Sequence, residues 1–427
     1  MSMTLTLVII LIALLLFSAP VSVALGLASV ATMLIFRPVP LEIIPQLLSN
    51  NSTSFIMVAV PLFILAGNLM ERGTVGRNLI DFTSSIVGFT TGGLGAVNVV
   101  GSMLFGGISG SSLADTAVFG SILVPRMKEQ NYPEDYAAAI TTTSSCLSVI
   151  IPPSINIVVA AAVTSQSVSG AMAGGILPGI LVTLLMCIPN YWLSKKYGYG
   201  IKTPFSLNNV FKTLKHTWSA LLAPVIILGS IFSGIVTPTE AAGITVLYIL
   251  IIDYFFFKKI TVKDIWTSLY DTARMTSCIL FIATSSAVGS WILAYEGIPR
   301  ILANALSAMP GGKAGFVLLF SLFIIALGAV MDAGPIIIIF APLFMPVATA
   351  LGFHPIHYLI MIVVGTAIGL TTPPYGVCLF SMSTITNINI ERIAKAALPF
   401  YISMVLSLLL VGLLPQLTMA LPTFLGL

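Results

Sequence analysis

Gly106-Gly107-Ile108-Ser109-Gly110-Ser111-Ser112, followed by Asp115, Pro125, Tyr132-Pro133, Tyr136 and Pro152-Pro153-Ser154, is a pattern that this chain uses twice. The second occurrence runs from Gly328 through Met331-Asp332, Pro342, His354-Pro355 and Tyr358 to Thr371-Thr372-Pro373-Pro374-Tyr375. In both copies a proline follows the aspartate by ten residues, and a tyrosine follows the X-Pro proline by three. Such agreement across half a chain marks an internal repeat. The connections inside the two copies differ in charge. The first holds Arg126, Lys128, Glu129, Glu134 and Asp135, whereas no charged residue occurs from Ala333 to Ile390. One connection therefore reads as cytoplasmic and the other as periplasmic. A pattern with opposite orientation in its two copies is an inverted-topology repeat, the architecture common in secondary transporters.

The composition agrees. Of 427 residues, 57% are hydrophobic and 7% charged, against about 25% charged in an ordinary soluble domain, and the mean hydropathy is +1.07. A soluble enzyme is excluded, and the net charge of +4 gives no nucleic-acid surface. A crossing helix needs about 20 apolar residues, and the chain offers roughly a dozen stretches near that length. Leu5–Phe36, Phe55–Leu69, Ile86–Phe105, Ala137–Val163, Ile279–Ala294 and Phe400–Leu421 are among them. The first is too long for one perpendicular helix and carries Pro20, which allows a kink or division. It has no positive n-region or clean cleavage site, so it reads as a retained membrane segment. The four cysteines sit alone in apolar or small-residue segments and read as reduced packing residues.

Basic residues concentrate in two central loops, Lys195, Lys196, Lys202, Lys212 and Lys215 in one and Lys258, Lys259, Lys263 and Arg274 in the other. Both loops are expected to be cytoplasmic. The two apolar stretches between them, joined by Thr237-Pro238-Thr239-Glu240, supply the even number of crossings this requires. The same rule puts the N-terminus outside and the loop after the first segment, at Arg37, inside. The chain is thus expected to be a single membrane unit with repeat 1 at about 50–190, a loop-rich scaffold linker at about 191–275 and repeat 2 at about 276–427.

Asp115 and Asp332 occupy equivalent repeat positions amid small or apolar residues. A carboxylate at bilayer depth costs about 2.5–3.5 kcal/mol even on the lenient scale. A bound cation, a proton or hydrogen bonds must compensate, unless the residue is a helix cap facing a loop. Ser109-Gly110-Ser111-Ser112 suits a hairpin tip whose hydroxyls and carbonyls face a cavity. The proline pairs Pro152-Pro153 and Pro373-Pro374 free carbonyls midway along apolar segments, and with Thr371 and Thr372 these oxygens suit a sodium ion. Half-helix N-termini after the breaks favour an anionic substrate group. Ser154, Asn156, Tyr375 and Gly376 are placed either to contact it or to serve as ordinary N-caps.

At these residues the chain resembles the large membrane subunit of the tripartite ATP-independent periplasmic (TRAP) transporters. The resemblance covers essentially the whole chain. It rests on the run from Gly107 to Thr116, on Ile150-Ile151-Pro152-Pro153-Ser154, on Met331-Asp332 and on Thr371-Thr372-Pro373-Pro374. It implies an all-α polytopic inner-membrane protein of elevator type, with re-entrant hairpins and broken helices sliding against a scaffold. It also implies sodium-coupled import of an organic acid, sialic acid or a C4-dicarboxylate, with the sialic-acid branch looking closest. No cofactor is implied beyond sodium as coupling ion. The implied partners are a small four-helix membrane subunit and a periplasmic binding protein that delivers the acid. The sodium set is then Ser109, Ser111, Asp115, Gly328, Asp332, Thr371, Thr372 and Gly376, and the substrate set is Ser112, Ser154, Asn156 and Tyr375.

Two other classes compete. Gly107-Ile108-Ser109-Gly110 matches the short G-x-S-G pattern of intramembrane serine proteases, but these need a base. His216, His354 and His357 are all expected near loops. An intramembrane aspartyl protease would pair Asp115 with Asp332 at close range, yet neither stands in a Tyr-Asp or Gly-x-Gly-Asp context. A passive channel also uses carbonyl and hydroxyl rings, though channels more often draw symmetry from oligomers. With no G-x-x-x-x-G-K-[ST] loop, a nucleotide-driven pump is disfavoured.

Overall fold

The computed structural model describes residues 2–17, 19–52, 55–72, 75–201, 204–257, 259–298, 300–301, 304 and 311–427, which form helices and no strands. The first half holds α1 (Met3–Leu16), α2 (Val21–Phe36), α3 (Ile43–Ser52), α4 (Phe55–Glu71), α5 (Val75–Val87), α6 (Gly93–Ser109), α7 (Ser112–Glu129) and α8 (Glu134–Ser144). Next come α9 (Leu147–Ile150), α10 (Ile155–Val163), α11 (Val168–Tyr197), α12 (Leu207–Phe232), α13 (Pro238–Ile249, running into a π turn over Leu250–Phe256) and α14 (Val262–Tyr295). The last are α15 (Gly312–Gly328), α16 (Ala333–Ala350), α17 (Pro355–Gly369), α18 (Val377–Thr386), α19 (Ile390–Leu413) and α20 (Gln416–Leu425). Six helices among the described residues are long and apolar enough to cross a membrane, or up to eight if each bent pair is one span.

The first apolar stretch is divided at Pro20, and the two halves fold back on each other. Met3 and Leu7 of α1 share one buried cluster with Met33 of α2 and Ile292 of α14. The backbone N–H groups of Met3 and Thr4 donate to Glu296, at 2.6 and 2.8 Å. Arg37 thus lies at the same end of the molecule as the N-terminus. This corrects the expectation that the N-terminus and Arg37 lie on opposite sides, while the division at Pro20 that the sequence allows is found. An apolar run that looks like one crossing is an antiparallel pair of short helices.

Three further boundaries differ from expectation. Ile86–Phe105 is interrupted, because α5 ends at Val87 and α6 begins only after the left-handed Gly92 (φ +76°). Phe400–Leu421 is split between α19 and α20 at Leu414-Pro415. In place of Ile279–Ala294 stands the 34-residue α14, which starts at a capping box where Thr261 and Asp264 bond reciprocally. Lys263 and Arg274 therefore sit on a helix rather than in a loop. Lys195, Lys196, Lys212 and Lys215 likewise lie on α11 and α12, at helix ends that flank the connection, while Lys202 and Lys258 fall outside the described residues.

The helices form two packed groups. In one, α2, α3 and α4 pack on α14, α13 on α4, and α12 on α5 and α13. Trp218 of α12 meets the Phe257 ring edge to face, and the Tyr248 hydroxyl donates to the Ser219 carbonyl at 2.9 Å. The start of α12 and the end of α13 consequently share one end of the molecule, as two same-side basic connections require. In the other group, α6 and α7 form a hairpin against α8 and α9, and α15 and α16 form a hairpin against α17.

The hairpins arrive from opposite ends. The open end of the first lies by the basic α11–α12 connection, where the Gly200 N–H donates to the Gln130 carbonyl at 3.2 Å. Helix α16 runs the other way along α14, with Asp332 and Cys278 lining one cavity and Pro342 and Ser290 lining another. The same succession of hairpin, broken helix and long helix thus occurs twice in opposed directions.

Candidate functional site at the hairpin tips

Both hairpin tips, both helix breaks and the middle of α14 surround one cavity of about 260 Å³. The first tip is narrower than the glycine-rich sequence suggests. Gly106 to Ser109 are the last turn of α6, and only Gly110 (φ +67°) and extended Ser111 leave the helix. Helix persists through Gly106 because the residue lies directly on α9, where a Cβ would stand 2.7 Å from the Ser148 Cα. Ser111 caps α7, its Oγ accepting from the Ala114 N–H at 3.2 Å. Ser112 is 3% exposed, lines the cavity, and its Oγ has no hydrogen-bond partner among the described residues. Asn156, in the first turn of α10, faces the same space.

From the second repeat comes Asp332, which caps α16 by accepting from the Ala333 N–H at 2.7 Å. It is thus a helix cap, but one that looks into the cavity rather than a loop. Leu370, Val377 and Cys378 add the wall from the second break, and Met275, Cys278, Ile279 and Ile282 of α14 close the far side. Among the described residues, no Lys, Arg or His lines this space, and no cluster of three or more His, Cys, Asp and Glu occurs anywhere. An ion held here would rest on hydroxyl, carbonyl and single carboxylate oxygens, the donor set of a hard cation.

Asp115 is elsewhere. It is fully buried behind the tip, in the first turns of α7, where Ser102 of α6 donates to Oδ1 at 3.0 Å and Ser148 of α9 donates to Oδ2. Two residues equivalent in sequence therefore have different roles in packing, one holding three elements together and the other facing a cavity. Ser109 also points away, donating to Glu71 Oε1 at 2.6 Å. Glu71 ends α4, so this bond joins the first tip to the other helix group.

The second break is held by its own hydroxyls. Thr371 and Thr372 both donate to the Ile368 carbonyl at 2.8 Å, and the Thr371 carbonyl accepts from the Tyr401 hydroxyl at 2.7 Å. The N–H groups of Tyr375 and Gly376 donate to the Ala329 carbonyl at 3.0 and 3.1 Å, tying this break to the second tip. Gly328 lies where α15 crosses α17, so close that a Cβ would stand 2.8 Å from the Gly369 Cα. Ser154 is a buried cap of α10 that accepts from the Ile157 N–H and donates to the Val149 carbonyl. Tyr375 is 47% exposed and stacks on Phe380.

Of the twelve residues singled out from the sequence, the structure brings Ser111, Ser112, Asn156 and Asp332 to the cavity wall. It adds Glu71, Ser102, Ser148 and the α14 face, which sequence reasoning missed. Glu71 was signalled by an acidic residue closing the apolar Phe55–Leu69 stretch. Ser102 and Ser148 carry no signal apart from the aspartate they face.

Two opposed hairpins whose tips meet at a cavity, each backed by a proline-broken helix, define a membrane transporter fold. The solved structure of the YdaH transporter of Alcanivorax borkumensis, described as having an unusual topology, is similar at a TM-score of 0.58. The match covers 86% of both chains at 16% identity.

The family model described as "Tripartite ATP-independent periplasmic transporter, DctM component" matches residues 8–417, and the chain belongs to this family. It is 34% identical to the C4-dicarboxylate TRAP transporter large permease protein DctM of Rhodobacter capsulatus, over 97% of each chain. To the sialic acid TRAP transporter large permease protein SiaM of Vibrio cholerae it is 32% identical, again over 97% of each. The chain is thus a multi-pass inner-membrane permease subunit of a substrate transporter, and not a protease.

Proposed function

We propose that this permease imports an organic acid by sodium symport, in an elevator motion that carries the group of α6–α11 and α15–α20 past the group built on α14. A small membrane subunit enlarges the stationary group, and a periplasmic binding protein delivers the acid. The observation that carries the reading is the cavity shared by both repeats. Its single carboxyl, Asp332, accepts one hydrogen bond among the described residues, from the Ala333 N–H, and no basic side chain stands beside it. A carboxylate at this depth needs a compensating charge, and an ion that leaves with the substrate supplies it while coupling the two fluxes.

Thermal unfolding of the purified permease, with its small subunit when that copurifies, tests the coupling ion. Sodium and potassium are compared at matched ionic strength. An ion that binds only the folded state at about 100 times its Kd stabilises by about 2.7 kcal/mol. The expected result is a sodium-specific rise that Asp332→Asn reduces. Equal unfolding in both salts would overturn sodium coupling.

A further inference from the structure

We infer that a pocket at the basic end of the molecule binds the phosphodiester headgroup of an anionic phospholipid. Two of the connections between the packed helix groups run side by side there. One leads from α5 to α6 through residues 88–92, and the other from α11 to α12 through 198–206. The rings of Phe89 and Phe205 meet edge to face at 5.2 Å and hold the two connections together. A pocket of about 360 Å³ opens between Thr90, Thr91 and Gly92 of the first, the 198–201 stretch of the second, and Ser194 and Lys195 in the last turn of α11.

The lining offers donors and a positive charge, and no Asp or Glu stands in it. Lys195 makes no ion pair among the described residues. Ser194 is 1% exposed, and its Oγ has no hydrogen-bond partner among the described residues. A buried hydroxyl without a partner forfeits the bonds it makes to water, and an acceptor in the pocket restores them. Bonds from an ammonium to phosphate oxygens are charge-assisted and strong. The depth of the pocket favours a lipid over a soluble phosphate ester. Tyr191, Trp192 and Tyr197 are exposed around it, and the Lys196 ammonium lies over the Trp192 and Tyr197 rings, 5.1 Å from each centroid. Such amphipathic rings sit at headgroup level. Ile180, Leu184 and Ile188 continue the exposed side of α11 at four-residue spacing, an apolar track for the acyl chain. By the positive-inside rule this end faces the cytoplasm, whose leaflet supplies the anionic headgroups that basic pockets between helices bind.

Native mass spectrometry of the delipidated permease in detergent, with its small subunit when that copurifies, measures the affinity of the first bound lipid. Phosphatidylglycerol and phosphatidylcholine with the same acyl chains are the lipid probes, and glycerol 1-phosphate is the soluble one. Phosphatidylglycerol should bind more tightly than phosphatidylcholine. Lys195→Gln should weaken phosphatidylglycerol about fivefold, the worth of one lysine beside an anionic headgroup, and Lys195→Arg should retain it. Lys196→Gln removes the same charge one residue on, outside the pocket lining, and should change the affinity by less than about twofold. Equal effects of Lys195→Gln and Lys196→Gln would leave only the general attraction of a basic surface and overturn the site. Equal binding of the two lipids, or no binding of phosphatidylglycerol, would overturn it as well. Displacement of phosphatidylglycerol by glycerol 1-phosphate at equal concentration would give the pocket to a soluble phosphate ester and overturn the lipid assignment.

Discussion

Removing the Ser148 hydroxyl by Ser148→Ala should destabilise the permease although it lines no part of the cavity. Asp115 is 0% exposed and accepts from Ser102 and Ser148, which come from different helices. Taking away one donor leaves a buried carboxyl oxygen without a partner, at a cost of about 1–3 kcal/mol. Either hydroxyl has somewhere else to turn, since Ser148 Oγ lies 3.3 Å from the Ser102 carbonyl and Ser102 Oγ lies 3.1 Å from Ser144 Oγ. Among the described residues no other side-chain donor meets the carboxyl, so the loss falls on Asp115. Ser102→Ala should cost a similar amount, and the double variant should depart from the sum because both act on one acceptor. For a chain this long, roughly 1 °C of unfolding temperature accompanies each kcal/mol, so falls of about 1–3 °C are expected. Thermal unfolding at one scan rate measures them. Ser121→Ala is the control, because that exposed hydroxyl bonds only its own helix and surface changes stay within about 0.5 kcal/mol. If Ser148→Ala and Ser102→Ala unfold together with the control, the assignment of Asp115 as the joint between α6, α7 and α9 is wrong.

Two other outcomes follow from the same geometry. Gly328→Val should lose about 1–3 kcal/mol, because the added carbons meet the backbone of Gly369. Gly229→Ala, with open space around its Cβ position in the last turn of α12, should be neutral or stabilising in the same unfolding assay. Glu71→Gln and Ser109→Ala both weaken the link between α4 and the first tip. They should change initial uptake rates in the same direction, with a double variant no more severe than the worse single one, and additive effects would show that the two residues act separately.

Much of the architecture was legible because it depends on local chemistry. Apolar stretches of membrane length, proline pairs that remove backbone donors and a repeated spacing of Gly, Asp, Pro and Tyr are properties of short segments. Charge placement was nearly as informative, since the basic connections fall at one end of the α12–α13 pair. Where it failed, at Arg37, the error lay in counting crossings. Periodicity and hydropathy do not distinguish one long apolar helix from two short ones folded together, and the packing of α1 on α2, which puts Met3 and Met33 in one buried cluster, decides it. Helices α3, α5 and α7 were not among the apolar stretches read from the sequence, because each is short or carries polar residues.

The amino-acid sequence by itself determined that this protein lives in a membrane, that its two halves are opposed copies, and that each copy breaks its helices at a hairpin tip and a proline pair. Only the tertiary structure decided which polar residues share a space. Ser111, Ser112, Asn156 and Asp332 face one cavity, Asp115 is enclosed by Ser102 and Ser148, and Ser109 reaches across to Glu71. The physical reason is that a side chain's partners are set by how distant helices cross. A backbone contact such as Gly328 on Gly369, or Gly106 on Ser148, moves a neighbouring carboxyl into or out of the cavity without leaving any mark on the local pattern.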